Sequence, residues 1–131
     1  MFTAYLITKS ELGFITKEIC KNAAPNQFTS AQAESSDKVI ESLIGKKYAY
    51  IEDGNIVFDR SIAFLAYKLC NAVDVSIASD GTVICRCKDI IISVEKDDAK
   101  RDGLKLIPIK NEESLAEYTA ERNITLGGKT E

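Results

Sequence analysis

The segment that constrains the fold of this chain most is residues 35–58, which predicts a helix leading directly into a hairpin. Ser35-Ser36-Asp37 is a helix start signal. After it, apolar residues recur at helical spacing, at Val39, Ile40, Leu43 and Ile44. Gly45 is expected to end this helix, because glycine commonly follows the last helical turn.

Two short apolar segments follow that helix. Residues 48–51 and 55–58 flank Asp53-Gly54, a dipeptide typical of tight hairpin turns. A helix followed by such a hairpin is a winged-helix-like layout. It occurs in DNA-binding regulators and in protein-binding modules, so the two functions must be separated on other grounds.

Capping residues predict the remaining helices. Thr8 and Glu11 form a capping-box pattern, and Leu12, Ile15 and Ile19 make a buried stripe that should end near residues 22–26. Asp59 caps a helix over residues 60–70, and Asn111 caps a final helix with Leu115 and Tyr118 inward. The helix at 60–70 carries two apolar stripes and is expected to be buried on both faces. One stripe is Ile62, Leu65, Ala66 and Leu69, and the other is Ala63, Phe64, Tyr67 and Cys70.

Between those helices the hydrophobic period changes to two, which predicts strands. The segments are residues 73–77, 83–87, 90–94 and 104–109, with Pro108 suited to a sheet edge. Val83, Cys85 and Cys87 should share a buried face with Ile90, Ile92 and Val94. The expected fold is α+β, a winged-helix-like N-terminal half on an antiparallel sheet of about four strands, with a C-terminal helix.

The length of 131 residues suits a single domain. Helices and wing hairpin occupy residues 8–58, the third helix, β-meander and closing helix occupy 59–122, and 123–131 is a tail. Residues 1–7 are the only candidate targeting segment and lack a basic leader, which favours a cytoplasmic protein without a membrane segment. The cysteines are expected to be reduced thiols; they are Cys20, Cys70, Cys85 and Cys87.

Several chemistries find little support in these residues. The chain has no histidine and no nucleophile elbow or phosphate loop, so we expect no enzyme and no cofactor. Cys85-Arg86-Cys87 lacks the spacing of a zinc site, and both thiols fit a buried strand face better, so no metal is expected. The net charge is −3. In the predicted helix and hairpin and at the residue just before them, acidic residues outnumber basic ones: Glu34, Asp37, Glu41, Glu52 and Asp53 compared with Lys38, Lys46 and Lys47. That balance disfavours binding to phosphates.

Aromatic residues cluster in the same region, at Tyr48, Tyr50, Phe58, Phe64 and Tyr67. Core packing accounts for some of them, but an acidic and aromatic outer face suits a protein partner. Tyr48, Tyr50, Phe64 and Tyr67 are therefore the predicted partner-binding residues. A homodimer is one of the assemblies that such a face would serve.

The order of elements resembles a known family. Glu11-Leu12, the run from Val39 to Tyr48, the hairpin and the two-faced helix are similar to the N-terminal half of EspG-like proteins. The strand ending in Leu104-Lys105-Leu106-Ile107-Pro108-Ile109 and the Glu-rich last helix are similar too, so the resemblance spans about residues 8–122. It implies a partner-binding factor of type VII secretion in Firmicutes. We therefore expect a non-enzymatic cytoplasmic protein-interaction module, an adaptor or chaperone; the alternative is a small winged-helix DNA-binding transcription regulator.

Overall fold

The structure is a computed structural model that describes residues 2–19 and 36–126. It confirms the α+β class. The elements are, in chain order, β1 (Tyr5–Thr8), α1 (Lys9–Ile19), α2 (Ser36–Gly45), β2 (Ala49–Glu52), β3 (Asn55–Phe58), α3 (Arg60–Cys70), β4 (Asp74–Ile77), β5 (Val83–Arg86), β6 (Ile91–Asp97), β7 (Gly103–Ile109) and α4 (Glu112–Arg122).

Internal packing divides the chain into two compact units. The helical unit comprises Ile7–Cys70, and the sheet unit comprises Met1–Leu6 with Asn71–Glu131. The third helix α3 thus belongs with α1, α2 and the hairpin, whereas the sequence grouped it with the strands that follow. The reason is its buried stripe, which packs within the helical unit against α1.

The sheet unit is built on a five-stranded sheet in the order β1-β7-β6-β5-β4. Strands β4 to β7 form the predicted antiparallel meander. The first strand was not predicted, and it lies beside β7. Pro108 is therefore on an interior strand, and its predicted position at a sheet edge is wrong.

Helix α4 and the sheet share the core of this unit. Among the described residues, the buried ones in that core are Ala78, Ile84, Ile91, Ile107, Ile109, Leu115, Tyr118 and Ile124, and the partly buried Phe2 and Leu126 pack against them. The helix begins as predicted, because the side chain of Asn111 accepts a hydrogen bond from the Ser114 amide at 2.9 Å. It ends at Asn123, whose φ of 55° is left-handed, as is common after a last helical turn.

The opposite face of the sheet carries Cys85 of β5, and Cys87 follows directly after that strand. Cys85 lies directly across from Ile92, and Val83 lies across from Val94. Cys85, Ile92 and Val94 are buried, so the predicted shared face is confirmed for them, while Val83 and Cys87 are half-buried. Burial and the neighbouring Cys87 raise the pKa of the Cys85 thiol to about 12.

The expectation that all cysteines are reduced is wrong for Cys70, which is disulfide-bonded. Cys20 lies outside the described residues. The expectation rested on the composition typical of cytoplasmic chains, and composition carries no information on which two side chains are brought together by folding.

Local hydrogen bonds shape the helical unit. The capping box is present: the Thr8 amide donates to Glu11 Oε1 at 2.9 Å, and the Glu11 amide donates to Thr8 Oγ1 at 3.1 Å.

Helix α2 ends with Gly45, and the left-handed residue that follows it is Lys47, with φ of 66°. The Tyr48 amide then bonds the Leu43 carbonyl at 2.9 Å, and the chain turns into β2. The predicted end of α1 at residues 22–26 lies outside the described residues.

The hairpin forms as predicted. Asp53 and Gly54 both have positive φ, 53° and 81°, which is the geometry of a type I′ turn. Phe58 at its base contacts Phe14 of α1 edge-on, with 6.2 Å between ring centroids.

Helix α3 departs from its prediction. Its first stripe is buried as expected, with Ile62, Leu65, Ala66 and Leu69 at most 3% exposed. Its second stripe is not, because Phe64 is 44% exposed and Tyr67 is 50% exposed. Burial of α3 on both faces is therefore wrong.

Candidate protein-binding surface

The outward face of α3 carries two exposed aromatic side chains, Phe64 and Tyr67. Asp59 fixes where the helix begins: its Oδ2 accepts hydrogen bonds from the amides of Ser61 and Ile62 at 3.1 and 3.4 Å. Because α3 starts at Arg60 and one stripe is buried, the helical repeat places Arg60, Phe64 and Tyr67 together on the opposite side. We call these three residues, with Lys68, the α3 face.

The α3 face combines aromatic area with positive charge. The Lys68 Nζ lies 5.6 Å from the centre of the Phe64 ring, a cation–π contact. Arg60 is exposed, and α3 contains no acidic residue. An exposed pair of large aromatic rings flanked by cations is the kind of surface that protein interfaces use, since Tyr, Phe and Arg are enriched there.

The hairpin contributes a second set of exposed apolar side chains. Tyr50 and Ile51 of β2 are 52% and 53% exposed. They are neighbours on one strand and so point to opposite faces of the hairpin. Tyr48, by contrast, is half-buried, and its carbonyl accepts a hydrogen bond from the Asp59 amide at 2.7 Å. That bond ties the base of the hairpin to the beginning of α3.

The charges around α2 and the hairpin are mostly acidic or already paired. Asp37, Glu41, Glu52 and Asp53 are exposed. Lys46 is engaged, because its Nζ lies 2.6 Å from Oε1 of the buried Glu11. One of the cations that the sequence offered for a phosphate contact is therefore already paired.

A separate polar pocket lies in the sheet unit. It has a volume of about 650 Å³ and is lined by Asp80, Gly81, Thr82, Glu95, Lys96, Asp98 and Arg122. Two of the lining residues are bonded to each other: Glu95 accepts hydrogen bonds from Arg122 and from Tyr118, and the Arg122 guanidinium lies 4.1 Å from the centre of the Tyr118 ring. The pKa of Tyr118 is raised by its burial and by the Glu95 carboxylate. The lining mixes three carboxylates with two cations, and the Glu95–Arg122 pair is satisfied within the unit.

The structure separates the four predicted partner-binding residues. Phe64 and Tyr67 share one face of α3, Tyr50 is exposed on β2, and Tyr48 is half-buried at the base of the hairpin. Sequence reasoning missed Ile51 and Arg60. Arg60 could have been found, because it precedes Phe64 by four residues and Tyr67 by seven. Ile51 could not, because the sequence of β2 does not show that two successive side chains, Tyr50 and Ile51, are both exposed to solvent.

No family model, curated protein or solved structure matches the chain. The resemblance to EspG-like proteins accordingly stays a prediction. Among the described residues, no helix combines the length and apolar character needed to cross a bilayer.

Proposed function

We propose that this protein is a non-enzymatic protein-interaction module that binds its partner through the α3 face, with Tyr50 and Ile51 as further contacts. The observation that carries the proposal is the exposure of Phe64 and Tyr67 on one side of a helix whose other side is fully buried. Burying an aromatic side chain at an interface removes a large apolar area from water, on the order of 150–250 Å² per ring when complete.

The charge distribution supports a protein partner over DNA. A DNA-binding module needs a cation for each phosphate that it contacts. Among the described residues of α2 and the hairpin, the carboxylates of Asp37, Glu41, Glu52 and Asp53 are exposed, while the nearby cation Lys46 already pairs with Glu11. Nearby carboxylates do not prevent an aromatic surface from binding a protein, because the affinity of such a surface comes from apolar contact.

A role as adaptor or chaperone in a secretion system, and a cytoplasmic location, are finer predictions that come from the sequence. The disulfide at Cys70 argues against a cytoplasmic location, because disulfides persist mainly in oxidising compartments. A homodimer through the α3 face is one form that the interaction could take.

Site-specific photo-crosslinking tests the proposal directly. The full chain is expressed in its native cell with p-benzoylphenylalanine in place of Phe64, and in a second variant in place of Tyr67. We expect discrete crosslinked protein species at both positions. The matched control places the same group at Lys110, an exposed position of the sheet unit outside α3.

Crosslinks of the same pattern and yield at position 110 would mean that the α3 face is not selective, and absence of products at 64 and 67 would contradict the proposal. Sedimentation of the purified protein identifies a homodimer, because Phe64→Ser with Tyr67→Ser would then shift it to the monomer.

A further inference from the structure

A second exposed apolar surface belongs to the sheet unit, at β4. Among the described strands β4 pairs only with β5, so it is an edge strand. Large apolar side chains recur there at every second position: Val73 is 76% exposed, Val75 is 49% exposed and Ile77 is 59% exposed. An exposed apolar edge strand is a template for pairing with another chain. We infer that β4 pairs antiparallel with β4 of a second copy of this protein, so that one sheet continues into the other across a two-fold axis.

The backbone of β4 is oriented for such a pairing. The N–H and C=O groups of successive residues point to alternate sides of a strand in an antiparallel sheet. The Ala78 amide points toward β5, because it donates to the carbonyl of Thr82 at 2.8 Å. The Ser79 amide points to the outer side, where it donates to the carbonyl of Thr125 at 2.8 Å. By the same alternation, the N–H and C=O of Val75 are directed to the outer side, where the second copy supplies their partners.

The register of the pairing follows from the ends of β4. Ala78 forms a bridge with Leu126, which covers the outer side at that point. A two-fold axis through Ser76 would run the second copy into this bridge. An axis through Asp74 would place two carboxylates directly opposite each other, which destabilises a strand pair. The axis therefore passes through Val75.

Pairing about Val75 matches the side chains of the apolar face. Val75 lies opposite the same residue of the second copy, and Ile77 lies opposite Val73 of the second copy. Cross-strand pairs of β-branched side chains are favourable, and each copy covers apolar area that is exposed in the single chain.

The other face of β4 is complementary in charge and hydrogen bonding. Asp74 lies opposite Ser76 of the second copy, whose hydroxyl can donate to the carboxylate. Within one chain, Arg86 already binds both residues, with Nη1 3.4 Å from Asp74 Oδ2 and 3.3 Å from Ser76 Oγ. The edge carboxylate thus has a cation beside it and faces a hydroxyl across the axis. This arrangement favours a second copy as the occupant, because each strand offers what the other needs.

The length of the contact sets its strength. Residues 73–77 span about 17 Å in an extended strand, which is short compared with interfaces that bury ~800 Å² per partner. We therefore expect a reversible dimer whose fraction rises with protein concentration.

Sedimentation velocity of the purified full chain, from low-micromolar to millimolar concentration, tests the inference. Val75→Lys/Ile77→Lys changes two exposed side chains and places two lysines directly opposite each other at the axis. Its dimer dissociation constant should therefore exceed that of the wild type by more than about tenfold. Leu6→Lys is the matched control, because Leu6 is 48% exposed on β1, the strand at the other end of the sheet order. It should leave the dimer unchanged, and denaturation midpoints confirm that both variants fold.

Photo-crosslinking locates the contact and its register. The purified chain carries p-benzoylphenylalanine in place of Val75, so that a second copy is the only protein within reach. Irradiation should give a covalent dimer in which the group is joined to residues 73–77 of the other copy. The same group in place of Leu6 should give no dimer.

The outcomes also separate this inference from the proposed function. A full chain that stays monomeric at every concentration would overturn the inference and leave the β4 edge to another protein or to the residues after Leu126. A dimer that withstands Val75→Lys/Ile77→Lys but dissociates in Phe64→Ser/Tyr67→Ser would overturn it as well, because the copies would then meet through the α3 face. Dissociation in the β4 variant alone supports it, while crosslinking at positions 64 and 67 decides the proposed function independently.

Discussion

Glu11 and Lys46 form an ion pair that joins the first turn of α1 to the end of α2, with 2.6 Å between Nζ and Oε1. The carboxylate is 1% exposed and also accepts hydrogen bonds from the Ser42 hydroxyl and the Thr8 amide. Burial raises the pKa of Glu11, but Lys46, Ser42 and the Thr8 amide outweigh it, and the pKa lies below its ordinary value. The residue thus combines a helix cap with a link between two helices.

Replacing the cation should destabilise the helical unit. Lys46→Met keeps the aliphatic stem but leaves a buried carboxylate with one partner fewer, so we expect a loss of about 1.5–3 kcal/mol in the free energy of unfolding. Lys47→Met is the matched control, because Lys47 is the adjacent residue and is exposed, and its effect should stay within about 0.5 kcal/mol. Urea denaturation measures both. Equal midpoints for the two variants would show that the ion pair adds nothing to stability.

The lowered pKa of Glu11 makes stability depend on acid pH. Because the folded-state pKa lies below the unfolded value, the unfolded chain takes up the proton first as pH falls. The contribution of Glu11 is therefore fully present above the ordinary value of 4.5 and is lost as pH falls through the folded pKa. Comparing Glu11→Gln with the wild type at several pH values tests this. The difference in unfolding free energy should be largest near neutrality and shrink below pH 4.5; a constant difference would contradict it.

The two sides of α3 should respond differently to truncation. Leu65 is 2% exposed, so Leu65→Ala should cost about 2–5 kcal/mol, as for other large-to-small changes in a core. Phe64→Ala, one position earlier on the outward side, should cost no more than about 1 kcal/mol, including its cation–π contact with Lys68. Denaturation midpoints provide the measurement. A large cost for Phe64→Ala would mean that this ring is a packing residue rather than a contact for a partner.

Local signals in the sequence correctly predicted where α1, α3 and α4 begin, and they predicted the hairpin. Thr8 with Glu11, Asp59 and Asn111 each bond amides within the next three residues, so their role depends only on nearby chain. The Asp53-Gly54 turn is equally local. Such features can be predicted because no distant residue has to be placed first.

Features that depend on distant residues were missed. The strand β1 exists because β7, about a hundred residues later, lies beside it, and its own four residues show no clear alternation. The Glu11–Lys46 pair likewise joins residues 35 positions apart. For the candidate site, the sequence supplied Tyr50, Phe64 and Tyr67 as aromatic candidates. It could not separate the exposed stripe of α3 from the buried one, because both are apolar and only packing decides which is covered.

Cys85 and Cys87, which are free thiols in the described part of the chain, should differ in reactivity. Cys85 is fully buried and its thiol pKa is raised to about 12, so its reactive thiolate is scarce at neutral pH. Cys87 is half-buried and serves as an internal control. Under native conditions, a maleimide reagent followed by peptide mass spectrometry should label Cys87 well before Cys85, and denaturant should remove the difference. Rapid labelling of Cys85 in the native protein would contradict its place in the sheet.

The surface of α2 and the hairpin should bind duplex DNA weakly, and charge-reversal variants test whether its carboxylates are the cause. Exposed acidic residues surround it, and Lys46 is held by Glu11. Affinity should therefore be weaker than the ~10⁻⁴–10⁻⁶ M of non-specific DNA-binding proteins at physiological salt. Fluorescence anisotropy with a labelled duplex, at low and moderate salt, measures it. The double variant Glu41→Lys/Glu52→Lys should bind more tightly and lose that gain on adding salt, because it adds two cations and removes two carboxylates. Micromolar, salt-sensitive binding by the wild type would instead favour the transcription-regulator alternative.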